Sequence, residues 1–281
     1  MSDWSPSLRQ LERESVARRL RRRRGLTAVA VTVVVLGVLL GALTSSPGWP
    51  RVRETFFSWP DAKASFPLVR DGFWTNVKMF LIAEPLILVV GILVAVTRQT
   101  VSPWLTPLRL LAVAYTDLFR GVPTLLVVVL CAFGIPALEL QGITSSLFVL
   151  TTLALVLSYG AYVAEVVRSG IESIHPSQRA SAEALGLSRG QSMRFVILPQ
   201  ALRRVVPPLM NDFVSLQKDT ALVSAVGLVE ALRAAQDYGN YNFNYTPLLV
   251  AAAFFVVVTV PLARLTDWLS ARAQRRERGG R

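Results

Sequence analysis

The sequence predicts an all-α integral membrane protein with about six transmembrane helices. Of the 281 residues, 52% are hydrophobic, and they gather into mostly apolar blocks of about 20 residues or more, the length that a helix needs to cross roughly 30 Å of hydrocarbon. The formal net charge is +12. Such a charge can indicate a nucleic-acid partner, but here the arginines flank the apolar blocks, as they do in cytoplasmic segments of membrane proteins. We therefore expect membrane lipid as a partner and no nucleic acid.

Residues 1–25 form a basic tail, and an uncharged block, residues 26–44, follows it. We interpret this block as a first transmembrane helix. A basic leader before an apolar run is also typical of a secretory signal, but the run is long for a signal core and no strong cleavage site follows it. Residues 45–71 mix both charges with aromatic residues and prolines, so we expect an extracytoplasmic loop whose rings rest at the lipid surface.

Five further spans are predicted, at residues 72–97, 105–138, 145–167, 200–222 and 247–263, and a basic tail follows at residues 271–281. The second span contains Glu84. A carboxylate at membrane depth is costly unless it faces a cavity or a partner. Glu84 is therefore a pathway residue or one half of a structural ion pair, for which Lys218 is the first candidate.

The fifth predicted span is a poor lipid-facing helix. Two prolines, Pro207 and Pro208, interrupt it, and several of its residues are polar or charged. Such a segment belongs inside the protein or along a cavity, so we interpret it as the wall of a transport pathway. The predicted pathway residues are Glu84, Asn211, Gln217, Lys218, Asp219 and Thr220.

Between two apolar spans lies a polar segment, residues 177–199, whose pattern predicts two short helices. Pro176 suits the first turn of a helix. Gly186 suits the left-handed position just past the end of that helix. Ser188 and Gln191 have the spacing of a capping box, which starts a second helix at once. Two short helices hinged at a glycine form a rigid knob that can transmit a push from a partner.

This segment resembles the cytoplasmic coupling loop of ABC importer permeases, whose pattern is E-A-A, three residues, G, nine residues, I-x-L-P. Gly186, Val196, Leu198 and Pro199 fall on the last four named positions, and Ala180 stands where the family usually has Glu. The ATPase-coupling residues that the resemblance implies are Gln178, Arg179, Ala180, Ser181, Ala182, Gly186, Leu187, Leu198 and Pro199.

Two further stretches resemble polar amino-acid permeases: Y-T-D-L-F-R-G-V-P-T at residues 115–124 and A-Y-V-A-E-V-V-R-S-G-I at residues 161–171. Their structural motif residues are Arg120, Gly121, Pro123, Glu165 and Arg168. Gly121 and Pro123 are expected to break a helix. Asp117 is spaced to pair with Arg120, and Glu165 with Arg168. The resemblance covers residues 72–270 and implies a type I ABC importer transmembrane fold, to which residues 26–44 add a helix.

The resemblance implies a permease subunit of an ATP-driven importer, which carries polar amino acids across the cytoplasmic membrane by alternating access, with both termini cytoplasmic. The implied partners are ABC ATPase subunits that hold ATP and Mg, a second permease chain, identical or not, and an extracytoplasmic amino-acid-binding protein. The chain itself has no phosphate-binding glycine loop and is not expected to be an enzyme or to bind a cofactor.

Three remaining features complete the sequence-based expectations. Cys131 is the sole cysteine and provides no disulfide or metal frame. His175, the sole histidine, is interpreted as a polar residue at a helix entry. The alternative function is an ion-coupled secondary transporter that would use Glu84, Glu165 and Lys218.

Overall fold

The computed structural model describes residues 7–279 except Val101, and every regular element in that part of the chain is a helix. This confirms the predicted all-α class. The chain divides into two compact units, Met1–Phe57 and Ser58–Arg281.

The first unit contains α1, Leu8–Thr44, and α2, Trp49–Phe56. α1 begins inside the basic tail, because arginine favours helices almost as strongly as leucine does. The apolar window within Arg19–Thr44 has no buried residue, and its hydrophobic residues lie on all sides of the helix, a pattern typical of a membrane span. α2 lies in the stretch predicted as a loop, where Pro50 fits the first turn of a helix.

The second unit opens with α3, Trp59–Arg98, which starts before the span predicted from residue 72. Ser58 caps it, with Pro60 in the first turn, so this helix start lies inside the predicted loop. A 3-10 turn, Pro103–Leu105, leads to α4, Thr106–Gly121. α5, Thr124–Val129, a π-helical turn, Leu130–Gly134, and α6, Ile135–Ala137, follow in order.

The break predicted at Gly121 and Pro123 is present. The two halves of this segment, Pro103–Gly121 and Thr124–Ala137, are bent by 106°. Val122 is extended, with φ −98° and ψ 132°, because the ring of the following proline disfavours the helical conformation. Residues 105–138 are therefore not one straight span.

α7, Leu147–Glu172, packs against α3, α4, α5 and α10. The remaining elements follow it along the chain. They are α8, Pro176–Ala184; α9, Arg189–Ser192; a π-helical turn, Met193–Ile197; α10, Leu198–Asp219; a 3-10 helix, Thr220–Val226; α11, Ala231–Asn242; and α12, Thr246–Gly279. Small residues allow close contact with α7: a Cβ on Gly91 of α3 would lie 2.3 Å from Val163 Cγ1.

Within the described residues, four segments contain helices long and apolar enough to cross a membrane, and the bent pair provides a fifth candidate. The four are Arg19–Thr44, Trp49–Arg98, Leu147–Glu172 and Thr246–Arg272. α10 is not among them, because its polar residues lower its hydropathy. The prediction of about six spans counts α10 as one of them and stays a prediction.

Candidate coupling loop and polar helix

The segment predicted as a coupling loop folds as two short helices. α8 begins at Pro176, and the side chain of His175 caps this end. His175 Nδ1 accepts the N–H of Ser177 at 3.2 Å and lies 2.7 Å from Ser177 Oγ. The interpretation of His175 as a helix-entry residue is confirmed.

α8 ends at a left-handed glycine. Gly186 has a φ of +81°, a conformation that costs other L-residues about 1 kcal/mol or more. The Gly186 N–H donates to Glu183 O at 2.9 Å, and the Leu187 N–H donates to Ala182 O at 3.1 Å. These two bonds form a Schellman motif, which satisfies the last carbonyls of the helix while the chain turns. The conformation predicted for Gly186 is therefore present.

α9 starts with Ser188 as its cap. The Gln191 N–H donates to Ser188 Oγ at 3.4 Å, and the Ser188 N–H donates to Gln191 Oε1 at 2.9 Å. This confirms the predicted capping box. The π-helical turn then continues directly into α10, with Pro199 in its first turn.

The base of the loop is anchored on α7 and α10. A cluster of buried side chains joins the two helices and the π-helical turn: Ile171, Ile174, Ile197 and Ala201. Arg204 of α10 donates to the carbonyl oxygen of Ser173 and, at 3.0 Å, to its Oγ. Packed clusters of this kind deform little, so the base of the loop is held firmly against the adjoining ends of α7 and α10.

The outer face of the loop presents arginines and two large apolar side chains. Leu185 is 82% exposed and Phe195 is 64% exposed, and the Arg194 guanidinium lies 5.7 Å from the centroid of the Phe195 ring. Among the predicted coupling residues, Ala182 is buried and Leu187 is half-buried. The others are exposed: Gln178, Arg179, Ala180, Ser181, Gly186, Leu198 and Pro199.

Two of the predicted pathway residues are buried in helix contacts. Gln217 Oε1 accepts the hydroxyl of Thr259, on α12, at 2.6 Å. Thr220 Oγ1 accepts a hydrogen bond from Nδ2 of Asn76, on α3, at 3.1 Å. Buried polar groups of this kind are satisfied inside the protein, so Gln217 and Thr220 stabilise the bundle where they lie.

The other four predicted pathway residues are more accessible to solvent. Asn211 and Lys218 are exposed, and Glu84 and Asp219 are half-buried. Asp219 Oδ2 accepts the hydroxyl of Tyr159 at 2.7 Å. The exposed part of this set is therefore one candidate wall of a water-accessible path.

Of the two alternatives for Glu84, the ion pair with Lys218 is not formed within the described part of the chain. Consecutive residues of a helix point about 100° apart, so Lys218 is exposed while its neighbour Gln217 faces the bundle. The electrostatic neighbour of Glu84 is instead Asp212 of α10. Asp212 Oδ2 is buried and has no hydrogen-bond partner within the described part of the chain.

Glu165 is the centre of an ion-pair network. Its Oε2 lies 2.9 Å from Arg98 Nη1 and 3.5 Å from Arg120 Nη1, and its Oε1 lies 2.5 Å from Arg168 Nη2. The predicted pair with Arg168 is confirmed. The predicted pairing of Arg120 with Asp117 is wrong, because the bend after α4 leaves Arg120 within reach of α7.

A buried hydrogen-bond network at the start of α11 was not predicted. Glu230 is fully buried and caps α11 by accepting the N–H groups of Leu232 and Arg233 at 3.0 and 2.8 Å. Asn76 Nδ2 donates to Glu230 Oε2 at 3.0 Å, and Asn76 Oδ1 accepts the Ala231 N–H at 3.1 Å. Burial raises the pKa of the Glu230 carboxyl, while the three donors oppose that shift. The sequence signal that could have revealed this network is Asn76 itself, a lone amide in an apolar span.

Comparisons with known proteins agree with these features. The pattern of a family described as "Binding-protein-dependent transport system inner membrane component" matches residues 87–275. The arginine transport system permease protein ArtQ of Bacillus subtilis (strain 168) is 31% identical over 198 residues, which cover 70% of this chain and 88% of that protein. The glutamine transport system permease protein GlnP of Escherichia coli (strain K12) is 30% identical over 217 residues, 77% and 97% of the two chains. The crystal structure of an amino acid ABC transporter with histidines matches with a TM-score of 0.67 at 29% identity, covering 73% of this chain and 94% of that chain.

These matches decide between the functions that the sequence left open. An ion-coupled secondary transporter gains no support from them, and its expected relay is not assembled, because Glu165 is held by arginines and Lys218 lies apart from Glu84. The structural match confirms the type I ABC importer permease fold. In this family ATP is hydrolysed by a separate subunit, so the chain is not itself an enzyme. The family pattern extends from α3 to α12 and includes the loop and α10. The chain therefore belongs to the family of binding-protein-dependent transport system inner membrane components, as the permease subunit of an ABC importer.

Proposed function

We propose that this subunit imports polar amino acids by alternating access. It works as one of two permease chains, with two ATPase subunits docked on residues 177–199 and an extracytoplasmic binding protein that delivers the substrate. Two observations support the substrate class: the curated relatives are named for arginine and glutamine, and the matched transporter structure is that of an amino acid transporter.

The observation that carries the proposal is the form of the coupling loop. Its outer face is exposed, with Leu185, Phe195 and several arginines free to meet a partner. Its base is buried against α7 and α10 through Ile174 and Ile197. A push on the outer face therefore reaches two long helices without being absorbed by a flexible connection. ATP binding would close the ATPases, draw the paired loops together and tip the permease chains from inward-facing to outward-facing.

The pathway residues that remain accessible belong to the same proposal. Glu84 lies on α3, and Asn211, Lys218 and Asp219 lie on α10, so the set offers carboxylates, an ammonium group and an amide. A zwitterionic amino acid offers a matching carboxylate and ammonium group. Since a ligand shifts a two-state equilibrium only through its different affinities for the two states, these contacts must differ between the inward-facing and outward-facing forms.

Replacing Gly186 by alanine tests the coupling. A side chain is unfavourable in the left-handed backbone conformation. The substitution therefore destabilises the native end of α8 by about 1 kcal/mol or more. We expect the complex purified through this chain to assemble normally, while the number of substrate molecules imported per ATP hydrolysed falls. Gly190→Ala is the matched control, because Gly190 lies in α9 with a negative φ and nothing lies within 4 Å of an added Cβ.

The measurement is uptake of labelled arginine and glutamine, together with ATPase activity, in proteoliposomes that hold the complete complex and its binding protein. Normal uptake per ATP in Gly186→Ala would remove the loop from coupling. A complex that imports another class of small polar solute but neither amino acid would refute the substrate class and leave the coupling intact.

A further inference from the structure

A groove runs along the outside of the second unit, between the first halves of α3 and α12. It encloses about 550 Å³. Its walls are apolar, formed by Ala62 and Phe66 of α3 and by Val250, Ala253, Phe254 and Val257 of α12. Phe66 is 49% exposed and Val257 is 70% exposed, so the groove opens to the surroundings of the bundle.

The groove has the length of a large part of one lipid chain. On each helix its lining residues span eight positions, Trp59 to Phe66 and Val250 to Val257, and the seven steps between the first and last cover about 10 Å at 1.5 Å per residue. One leaflet of the hydrocarbon core is about 15 Å thick. The two helices begin at the same end, where the Ser58 N–H donates to Thr246 Oγ1 at 3.0 Å. The groove therefore begins near the starts of both helices and runs along them.

The mouth of the groove carries a cation and an interfacial ring. Trp59 is 78% exposed, and Lys63, one turn further along the same helix face, is exposed and has no ion pair within the described part of the chain. Asp61, two residues earlier, is already engaged, because it accepts hydrogen bonds from Ser58 and Tyr238. Tryptophan and lysine at a helix end are the residues that anchor a protein at lipid headgroups.

We propose that this groove binds one anionic phospholipid, with an acyl chain between α3 and α12 and the phosphate on Lys63. The apolar walls favour the acyl chain, since contact with lipid removes them from water without requiring a protein partner. The unpaired ammonium group of Lys63 favours a lipid whose headgroup is negatively charged. Trp59 marks the depth at which the headgroup meets the hydrocarbon.

Photo-crosslinking in the intact membrane tests the proposal. The full chain is produced with p-benzoylphenylalanine in place of Phe254, inside the groove, or in place of Val260, an exposed residue of α12 outside it. After irradiation, mass analysis of the adducts counts phosphatidylglycerol against phosphatidylethanolamine. We expect phosphatidylglycerol to be enriched about fivefold at Phe254 relative to Val260, because one lysine at an anionic lipid surface contributes about 1 kcal/mol.

Two variants separate the headgroup from the groove. Lys63→Gln should abolish the enrichment at Phe254, whereas Arg70→Gln, a neutralised cation on α3 outside the groove, should preserve it. Equal lipid ratios at both positions in the parent chain would overturn the proposal, and so would an enrichment that survives Lys63→Gln. Adducts at Phe254 with a peptide from residues 26–44, or with another protein, would show that a helix occupies the groove and would equally overturn it.

Discussion

The carboxylate of Glu165 meets arginines from three helices, because Arg98 lies on α3, Arg120 on α4 and Arg168 on α7 itself. Its side chain is only 18% exposed. A carboxylate that is largely removed from water is stable only when its charge and hydrogen-bonding capacity are matched. Removing the charge would leave the same arginines facing one another, so the network is expected to matter more than a surface ion pair.

Glu165→Gln should therefore lower the unfolding midpoint of the purified chain by several degrees. The expected loss is about 2 kcal/mol, the value typical of a hydrogen bond to a charged group. Glu172→Gln is the matched control: it removes a carboxylate that pairs with the same Arg168 but is 57% exposed. An exposed pair contributes about 0.5 kcal/mol. Thermal unfolding in detergent provides the comparison, and equal midpoints for the two variants would contradict the role of the network.

Sequence spacing predicted one of the three ion pairs of Glu165. Glu165 and Arg168 are three residues apart, and on a helix that separation alone brings their side chains together. Arg98 and Arg120 are distant in sequence, and their approach to Glu165 depends on how α3 and the bent α4–α5 segment pack on α7. The same limit applies to Lys218, for which pairing with Glu84 was one of two alternatives, because a charge pattern does not reveal which side of a helix faces the bundle.

At the scale of elements, α3 and α11 meet with almost no space between them. A Cβ on Gly72 would lie 2.6 Å from the carbonyl carbon of Glu230 and 2.7 Å from its oxygen. One turn later on α3, Asn76 bonds both the Glu230 side chain and the Ala231 N–H. The absence of a side chain at Gly72 and the amide of Asn76 together fix where α11 begins.

Gly72→Ala should destabilise this contact. The added methyl group meets backbone atoms that cannot rotate away, and overpacking of this kind costs about 1–3 kcal/mol. Gly134→Ala is the control, because Gly134 has helical φ and ψ and open space around its Cβ position; there alanine should be neutral or stabilising. The measurement is the unfolding midpoint of each variant under the same conditions. A Gly72→Ala chain as stable as the Gly134→Ala chain would refute the close contact between α3 and α11.

The long helices were predictable from composition, and the short ones were predictable only where capping residues mark them. Long apolar blocks revealed α1, α3, α7 and α12, while Pro176, Gly186 and Ser188 revealed α8 and α9. α2 and the start of α3 were interpreted as loop, because prolines suggest breaks unless they are placed in a first turn. α11 was missed because a short polar helix owes its stability to packing against its neighbours.

At the scale of the whole molecule, the distribution of arginines predicts the orientation in the membrane. Arg21 to Arg24 precede the uncharged part of α1, and a second group of arginines follows the apolar part of α12. Basic residues next to membrane helices stay on the cytoplasmic side. Both ends of the chain are therefore expected in the cytoplasm, together with the arginine-rich coupling loop.

Reporter fusions at residues 1 and 281 test this orientation. Green fluorescent protein should be fluorescent at both ends, and alkaline phosphatase, which is active only outside the cytoplasm, should be inactive at both. A fusion at the connection between α6 and α7, at residues 139–144, should show the opposite behaviour. Phosphatase activity at residue 1 would mean that residues 26–44 are inserted in the other direction or are removed as a signal.

The pairing of α3 with α12 has a consequence for the order in which the protein is made. Ser58 and Thr246 bond across 188 residues of sequence, and the rings of Phe66 and Phe73 on α3 each lie 5.3 Å from that of Phe254 on α12. At 5–20 residues per second, a ribosome takes roughly 10 to 40 s to cover that distance. Throughout this time Phe66 and Phe73 of α3 lack their contact with Phe254 of α12. A nascent chain that stalls before Thr246 lacks α12, so it would leave accessible to membrane proteases the ring of Phe73, which the finished protein buries.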